Sequence, residues 1–279
     1  MNRLSIKLLF VFIVFTAFTS CKKEMVNNEN FSGKKSLVTG QVINVPTIAN
    51  IVETQPHVYT PVTIPLSSNC GGFWQGLPAN YNSTTQKYPL LIYLSGQSKL
   101  GSGSNTDLQK ISGGPHSSLK KKKFPPNFIV GGKNFSFIVI SPQFKGWPNA
   151  EHVDAVINYI VSKLRVDKSR IYVTGLSMGG GVTWDYAGSK YANKIAAITP
   201  VCGASAPADA KAKTIADNDI PVWAFHNQYD NKVSVNNTKN WVSLINKYNP
   251  DPKAKMTIFQ DADKGHDAWT KAYSLSYKE

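Results

Sequence analysis

Three unbroken apolar runs constrain this chain more than any other feature: 88–94 (YPLLIYL), 135–140 (FSFIVI) and 171–174 (IYVT). A strand with one wet face alternates apolar and polar residues, so unbroken runs belong to strands buried on both faces, as in parallel sheets lying between two layers of helices. Between the second and third runs Val153, Val156, Ile157, Ile160, Val161 and Leu164 recur at helical spacing, and Asp167 and Arg170 close that unit before the next strand. Further strands are expected at 195–201, 220–225 and 256–259, with helices near 178–189 and 234–247 between them. Strand, helix, strand in repetition is an α/β layout with a mostly parallel central sheet and helices on both faces. Upstream, 58–66 alternates and breaks at prolines and 72–78 follows it, both suiting short edge strands ahead of the larger sheet. The stretch 96–133 is rich in Gly, Ser, Lys and Pro and too long for a plain connector, so it is expected to rim a site and to carry a small helix.

At the N-terminus Arg3 and Lys7 precede the apolar run 8–15, and Ala17-Phe18-Thr19-Ser20-Cys21 follows. That is the layout of an export signal, with an apolar part too short to cross a bilayer comfortably. Small residues directly before a cysteine resemble a bacterial lipoprotein signal. On that reading 1–20 is removed, Cys21 becomes the lipidated first residue, 21–52 is a polar tether and the start of the domain, and 53–279 is a single catalytic domain. The protein is then exported and anchored in a lipid bilayer through Cys21, on the periplasmic face of the outer membrane or on the cell surface. Ordinary secretion with an incidental cysteine is the alternative.

The formal charge of +14 falls by two, to +12, when Arg3 and Lys7 leave with the signal. Lys120 to Lys123 form the one dense basic block, for which a solvated loop is sufficient. Basic charge suits an anionic polysaccharide or a nucleic acid, but the export signal argues against the second and no aromatic-interleaved basic motif supports it. An exported compartment permits a disulfide between Cys70 and Cys202, while the place of Cys202 at the end of an apolar strand suits a free thiol equally well. No Cys/His cluster has metal-ligand spacing, and no cofactor motif is present. The oligomeric state is left open.

Chemistry concentrates at Gly175-Leu176-Ser177-Met178-Gly179, which follows one expected strand and opens an expected helix. A Gly-x-Ser-x-Gly in that setting makes a sharp strand-to-helix turn with the serine hydroxyl exposed above the sheet. The bland alternative is a glycine-rich turn whose serine caps the helix. A serine needs a base, and the base needs an orienting carboxylate. His266 lies after the last strand and Asp230 just beyond the strand 220–225, so the order Ser177, Asp230, His266 delivers all three to the carboxyl edge of one sheet. His226 competes as base, although a bracing role in the acid loop fits it better, and Asp261, Asp263 and Asp267 compete as the acid. His57, His116 and His152 fall outside these loops. The N–H groups of Met178 and Gln97 are expected to face a developing oxyanion. Trp147 and Trp269 are candidates to wall the substrate pocket.

Together these segments resemble the α/β-hydrolase fold and, within it, exported esterases related to feruloyl esterases and polyhydroxybutyrate depolymerases. The likeness runs over 73–277: Leu77, Pro78 and Tyr81; the 88–94 strand; Ser141-Pro142-Gln143 with Trp147; the 170–180 turn; Pro200-Val201-Cys202-Gly203; 221–226; and His266-Asp267-Ala268-Trp269. It places nucleophile, acid and base on Ser177, Asp230 and His266. Two departures stand out, since the family usually has His-Gly where this chain has Ser95-Gly96, and His-Gly again where it has His226-Asn227. The first removes a side chain that helps to hold the oxyanion loop and leaves the backbone donor in place.

The resemblance implies a serine carboxylesterase acting through an acyl-enzyme on small acyl esters, such as feruloyl or acetyl groups on polysaccharide, with no cofactor. Two rivals share the residues: a serine peptidase of the prolyl-oligopeptidase type, and a lipid-tethered glycan-binding protein with weak or no turnover. No propeller domain or amine-binding acidic cluster supports the first, and an intact Ser, Asp and His argues against the second.

Overall fold

The computed structural model describes residues 52–274; the leader, Cys21 and all but the last residue of the tether 21–52 lie outside them. Strands β1 (Val58–Val62), β2 (Cys70–Leu77), β3 (Tyr88–Leu94), β6 (Ile138–Phe144), β7 (Val166–Leu176), β8 (Ala197–Val201), β9 (Trp223–Asn227) and β10 (Lys255–Phe259) form one sheet in the order β1-β2-β6-β3-β7-β8-β9-β10. β1 and β2 pair antiparallel, as do β2 and β6, and every later pairing is parallel. A mostly parallel sheet with flanking helices is the layout that the unbroken runs require.

β3 shows why. All seven of its residues are buried, and they alternate between the two faces. Leu90, Ile92 and Leu94 pack on the side of α3 (Ala150–Lys163), α4 (Met178–Ala187), α5 (Asp209–Asp217) and α6 (Val235–Lys247), through Val156, Ile160, Val182, Trp184, Ile215, Trp241 and Ile245. Leu91 and Tyr93 meet the opposite layer, made of α1 (Asn105–Leu108), α2 (Gly114–Lys120), α7 (Trp269–Ala272) and the hairpin β4 (Phe128–Val130) with β5 (Lys133–Phe135). Each large side chain buried in this way is worth roughly 1.5–3 kcal/mol relative to exposure. Trp184 and Trp241 stack with centroids 5.0 Å apart and clasp α4 to α6.

Several expectations are corrected. The run 135–140 is not one strand: Phe135 ends β5 and β6 begins at Ile138, because Gly131 and Gly132 take positive φ (54° and 75°) and turn the chain into a hairpin first. Asp167 and Arg170 do not precede the next strand; they lie within β7, where the register against β3 slips between Tyr88 and Leu90 and Asp167 binds the Arg170 guanidinium at 2.7 Å. β2 is no edge strand, since β1 covers its outer side. The stretch 96–133 holds two short helices and half of the hairpin rather than one small helix in a loop. Cys70 and Cys202 are both free thiols, buried in separate clusters on opposite faces of the sheet. No helix among the described residues is long and apolar enough to cross a membrane.

Because β6, β3, β7, β8, β9 and β10 run parallel, the loops that follow them all open on one edge. That edge holds the site.

Candidate active site

Ser177 is the single residue between β7 and α4, held at φ 54° and ψ −117°. A left-handed backbone at a non-glycine residue costs of the order of 1–3 kcal/mol and persists only where its surroundings impose it. Here they do. The Ser177 N–H donates to Val201 O at 3.0 Å, and the Ser177 carbonyl accepts from Gly181 N at 2.9 Å and Ala204 N at 3.0 Å. The turn also needs bare backbone around it: a Cβ at Gly179 would stand 2.0 Å from Leu94 O, and one at Gly175 would stand 2.5 Å from the Gly179 carbonyl carbon.

The structure brings Ser177, His266 and Asp230 into one hydrogen-bonded line. His266 Nε2 lies 2.8 Å from Ser177 Oγ, and His266 Nδ1 lies 2.6 Å from Asp230 Oδ2. A carboxylate can only accept, so Nδ1 carries the proton and the Nε2 lone pair faces the serine hydroxyl. The Asp230 side chain is shut off from solvent (0 % exposed), whereas that of His266 is 18 % exposed and reachable. Burial alone would raise the Asp230 carboxyl. Hydrogen bonds from His226, His266, Val233 N–H and Lys232 N–H outweigh it and hold the group well below the usual carboxylate range, ionised at neutral pH.

His226 braces the acid, as the sequence suggested over a role as base. Its Nε2 lies 3.1 Å from Asp230 Oδ2 and 3.0 Å from Val233 O, and its Nδ1 meets Thr238 Oγ1 at 2.8 Å. Asp261 and Asp267 turn elsewhere, to Lys271 and to the first turn of α7 respectively. Asp263 pairs with Lys264.

Met178 opens α4 and Gln97 opens a short 3-10 turn, so neither backbone N–H has an acceptor within its own helix. The Gln97 loop adjoins the serine: a Cβ at Gly96 would lie 3.7 Å from Ser177 Cβ. That loop is strapped down by Gln143, a residue not singled out for any site role. Its Oε1 accepts from Gly103 N at 3.0 Å, and its Nε2 donates to Lys99 O at 3.0 Å and to Asp107 O at 2.8 Å. Of the two aromatic candidates, Trp269 sets its ring edge-on to His266 at 5.4 Å between centroids. Trp147 lies on the loop after β6 and is 47 % exposed.

Cys202, Asp230 and His266 offer three potential ligand atoms within 4.8 Å of one another. Burial pushes the Cys202 thiol well above its ordinary range, and four donors already occupy the Asp230 oxygens. The set is therefore suited to proton transfer along the line rather than to holding an ion. Asn227 stood out in the sequence only as a departure at the head of the acid loop; in the fold its buried side chain binds the backbone of the histidine loop.

Residues 145–279 match the dienelactone hydrolase family, a span that contains all three members of the line. The chain is 29% identical over 103 residues to a bifunctional acetylxylan esterase/xylanase from Neocallimastix patriciarum, covering 34% of this chain but only 15% of that protein. Among solved structures it resembles a thermostable esterase (TM-score 0.55, 22% identity, 78% of this chain and 59% of that one). It also resembles a serine-to-alanine mutant of the feruloyl esterase module from Clostridium thermocellum complexed with sinapinate (TM-score 0.54, 15% identity, 88% and 93%). At these identities the structural likeness speaks for the fold.

Proposed function

We propose that this chain is a serine carboxylesterase of the α/β-hydrolase kind acting through an acyl-enzyme, a reading supported by the match of residues 145–279 to the dienelactone hydrolase family. The observation that carries the reading is the continuous Asp230–His266–Ser177 hydrogen-bonded line, ending in a hydroxyl set on a strained turn. Ser177 Oγ attacks the ester carbonyl carbon while His266 Nε2 takes the hydroxyl proton, and ionised Asp230 stabilises the imidazolium. The N–H groups of Met178 and Gln97 hold the oxyanion of the tetrahedral intermediate. Collapse expels the alcohol, which receives the proton from His266, and water then repeats the sequence on the acyl-serine.

The proposed substrates are acetyl or feruloyl esters on polysaccharide. The acetylxylan and feruloyl esterases among the relatives support this choice, and so does the edge itself. The exposed aromatics Trp147 and Tyr229 (47 % and 52 %) sit on the loops after β6 and β9, each two strands from β7 in the sheet order. At about 4.8 Å per strand the two loops flank the serine at roughly 10 Å on either side, a spacing that suits an extended sugar chain. Export and anchoring through Cys21 belong to the same proposal and rest on the sequence.

The test is an ester panel of acetyl, butyryl and feruloyl substrates beside a chromogenic dipeptide, run on wild type and Ser177→Ala, with fluorophosphonate labelling of both. Ester turnover and labelling that vanish together in Ser177→Ala are expected. Labelling that survives the substitution would reject Ser177, and preference for the dipeptide would reject the ester reading.

A further inference from the structure

The His266 loop leaves the sheet at Phe259 and returns to it at α7. Its internal bonds are local: Lys264 N to Asp261 O, Asp267 N to Lys264 O, and Ala268 N to His266 O. Such turns shape a loop without fixing where it stands over the sheet. A buried side chain at the end of β9 ties it there. Asn227, the last residue of β9 and 0 % exposed, donates from Nδ2 to Asp261 O at 2.7 Å and to Gly265 O at 2.9 Å, and accepts on Oδ1 from Asp261 N at 3.2 Å. Both amide protons and the carbonyl oxygen are used. The backbone carbonyl of the same residue accepts from Asp230 N at 3.2 Å.

We propose that Asn227 is a positioning residue of the proton relay: a buried joint that fixes the histidine loop to the acid loop and so presets His266 between Asp230 and Ser177. Gly265 immediately precedes His266, so a bond to its carbonyl sets the backbone from which the imidazole projects. Gly265 itself takes φ +51°, which makes the direction of that carbonyl sensitive to how it is held. A glycine at 227 offers no such bonds, and the amide takes over the ladder at the point where β10 ends opposite Asn227. The catalytic consequence rests on the esterase reading, whereas the geometric one does not.

The experiment uses Asn227→Ala with two readouts. One is the far-downfield proton resonance of the His266 Nδ1–H, identified by its absence in His266→Gln; the other is the separation of kcat from KM on p-nitrophenyl acetate. We expect the resonance to broaden or vanish and kcat to fall by about 10²-fold, the scale of a misplaced reacting group, with KM within about twofold. A purely structural role would lower the melting temperature and leave the resonance and kcat intact; that result overturns the proposal. If Asn227→Ala does not fold, Asn227→Ser, which keeps one donor, decides by the same criteria. A wild type that shows the resonance but hydrolyses no ester would defeat the esterase reading, and the resonance in the variant would still judge Asn227.

Discussion

Glycines at the nucleophile turn and at the β4–β5 hairpin differ in what they tolerate, one limited by space and the other by backbone angle. Gly179 has no unusual φ, yet a Cβ there would overlap Leu94 O at 2.0 Å, so both backbones would have to part. At Gly131 a Cβ would meet nothing within 4 Å, but the residue takes φ +54°. We expect Gly179→Ala to lose more than about 3 kcal/mol, or to fail to fold, because overpacking against main chain has no side chain to yield. Gly131→Ala should cost about 1 kcal/mol, from the left-handed backbone alone. Urea midpoints of the two variants check the contrast, and equal losses would refute it. The Gly-x-Ser-x-Gly spelling made this turn legible because the positive φ at Ser177 and the close approach of Gly175 to Gly179 fall within five residues, even though Leu94 and Val201 close on it from elsewhere in the chain. Asn227 was not legible as a joint, since both its partners, Asp261 and Gly265, lie more than thirty residues away in a loop without periodicity.

Among the elements, the buried strands were readable and the straps over them were not. β3 was found at the right residues because its burial on both faces writes itself as an unbroken apolar run. The 96–133 stretch reads in the sequence as a site rim with one small helix, and its two helices and hairpin strand are not spelled out there. Its internal order comes from Gln143, whose amide reaches Lys99, Gly103 and Asp107 from β6. Gln143→Leu leaves one N–H and two carbonyls without that partner, at about 1–3 kcal/mol for each group that stays buried and unpaired. We expect a loss of several kcal/mol in urea unfolding, with faster amide exchange confined to 99–108 in the folded state. Exchange unchanged in that segment would show that the strap holds without Gln143. The same contrast explains the division of 135–140: apolar character marks burial, and it does not say where a glycine turn divides a run between two sheets.

For the molecule as a whole, acid sensitivity follows from buried imidazoles. Burial lowers His57 to about 4, and it lowers His116 to about 3 with Lys120 adding to the effect. Both stay neutral in the fold while the unfolded chain takes up protons below about 6.5, so the unfolded state binds more protons and stability falls as pH drops from that value. By pH 4 the cost is of order 3 kcal/mol for each histidine. The Asp230 carboxyl is depressed too and loses stability in the same direction but in a lower window: its contribution is complete above the ordinary carboxylate value near 4 and is lost only beneath it. Acid unfolding is thus expected to begin with the histidines. Urea unfolding from pH 7 to pH 4 should show the decline, and His57→Gln should flatten part of it; a pH-independent midpoint over that range would contradict the assignment.

What the sequence determined by itself was set by short-range rules: strands buried on both faces announce themselves as apolar runs, helices by their period, and the nucleophile turn by its small residues. The order Ser177, Asp230, His266 followed from strands that share one carboxyl edge. Tertiary structure alone decided that β1 shields β2, that the two thiols lie on opposite faces, that Gln143 straps the Gln97 loop, and that Asn227 ties the histidine loop to the acid loop. Each of those outcomes is a pairing of polar or packing groups distant in the chain. Such pairings depend on which surfaces folding brings together, and no local pattern of residue types encodes them.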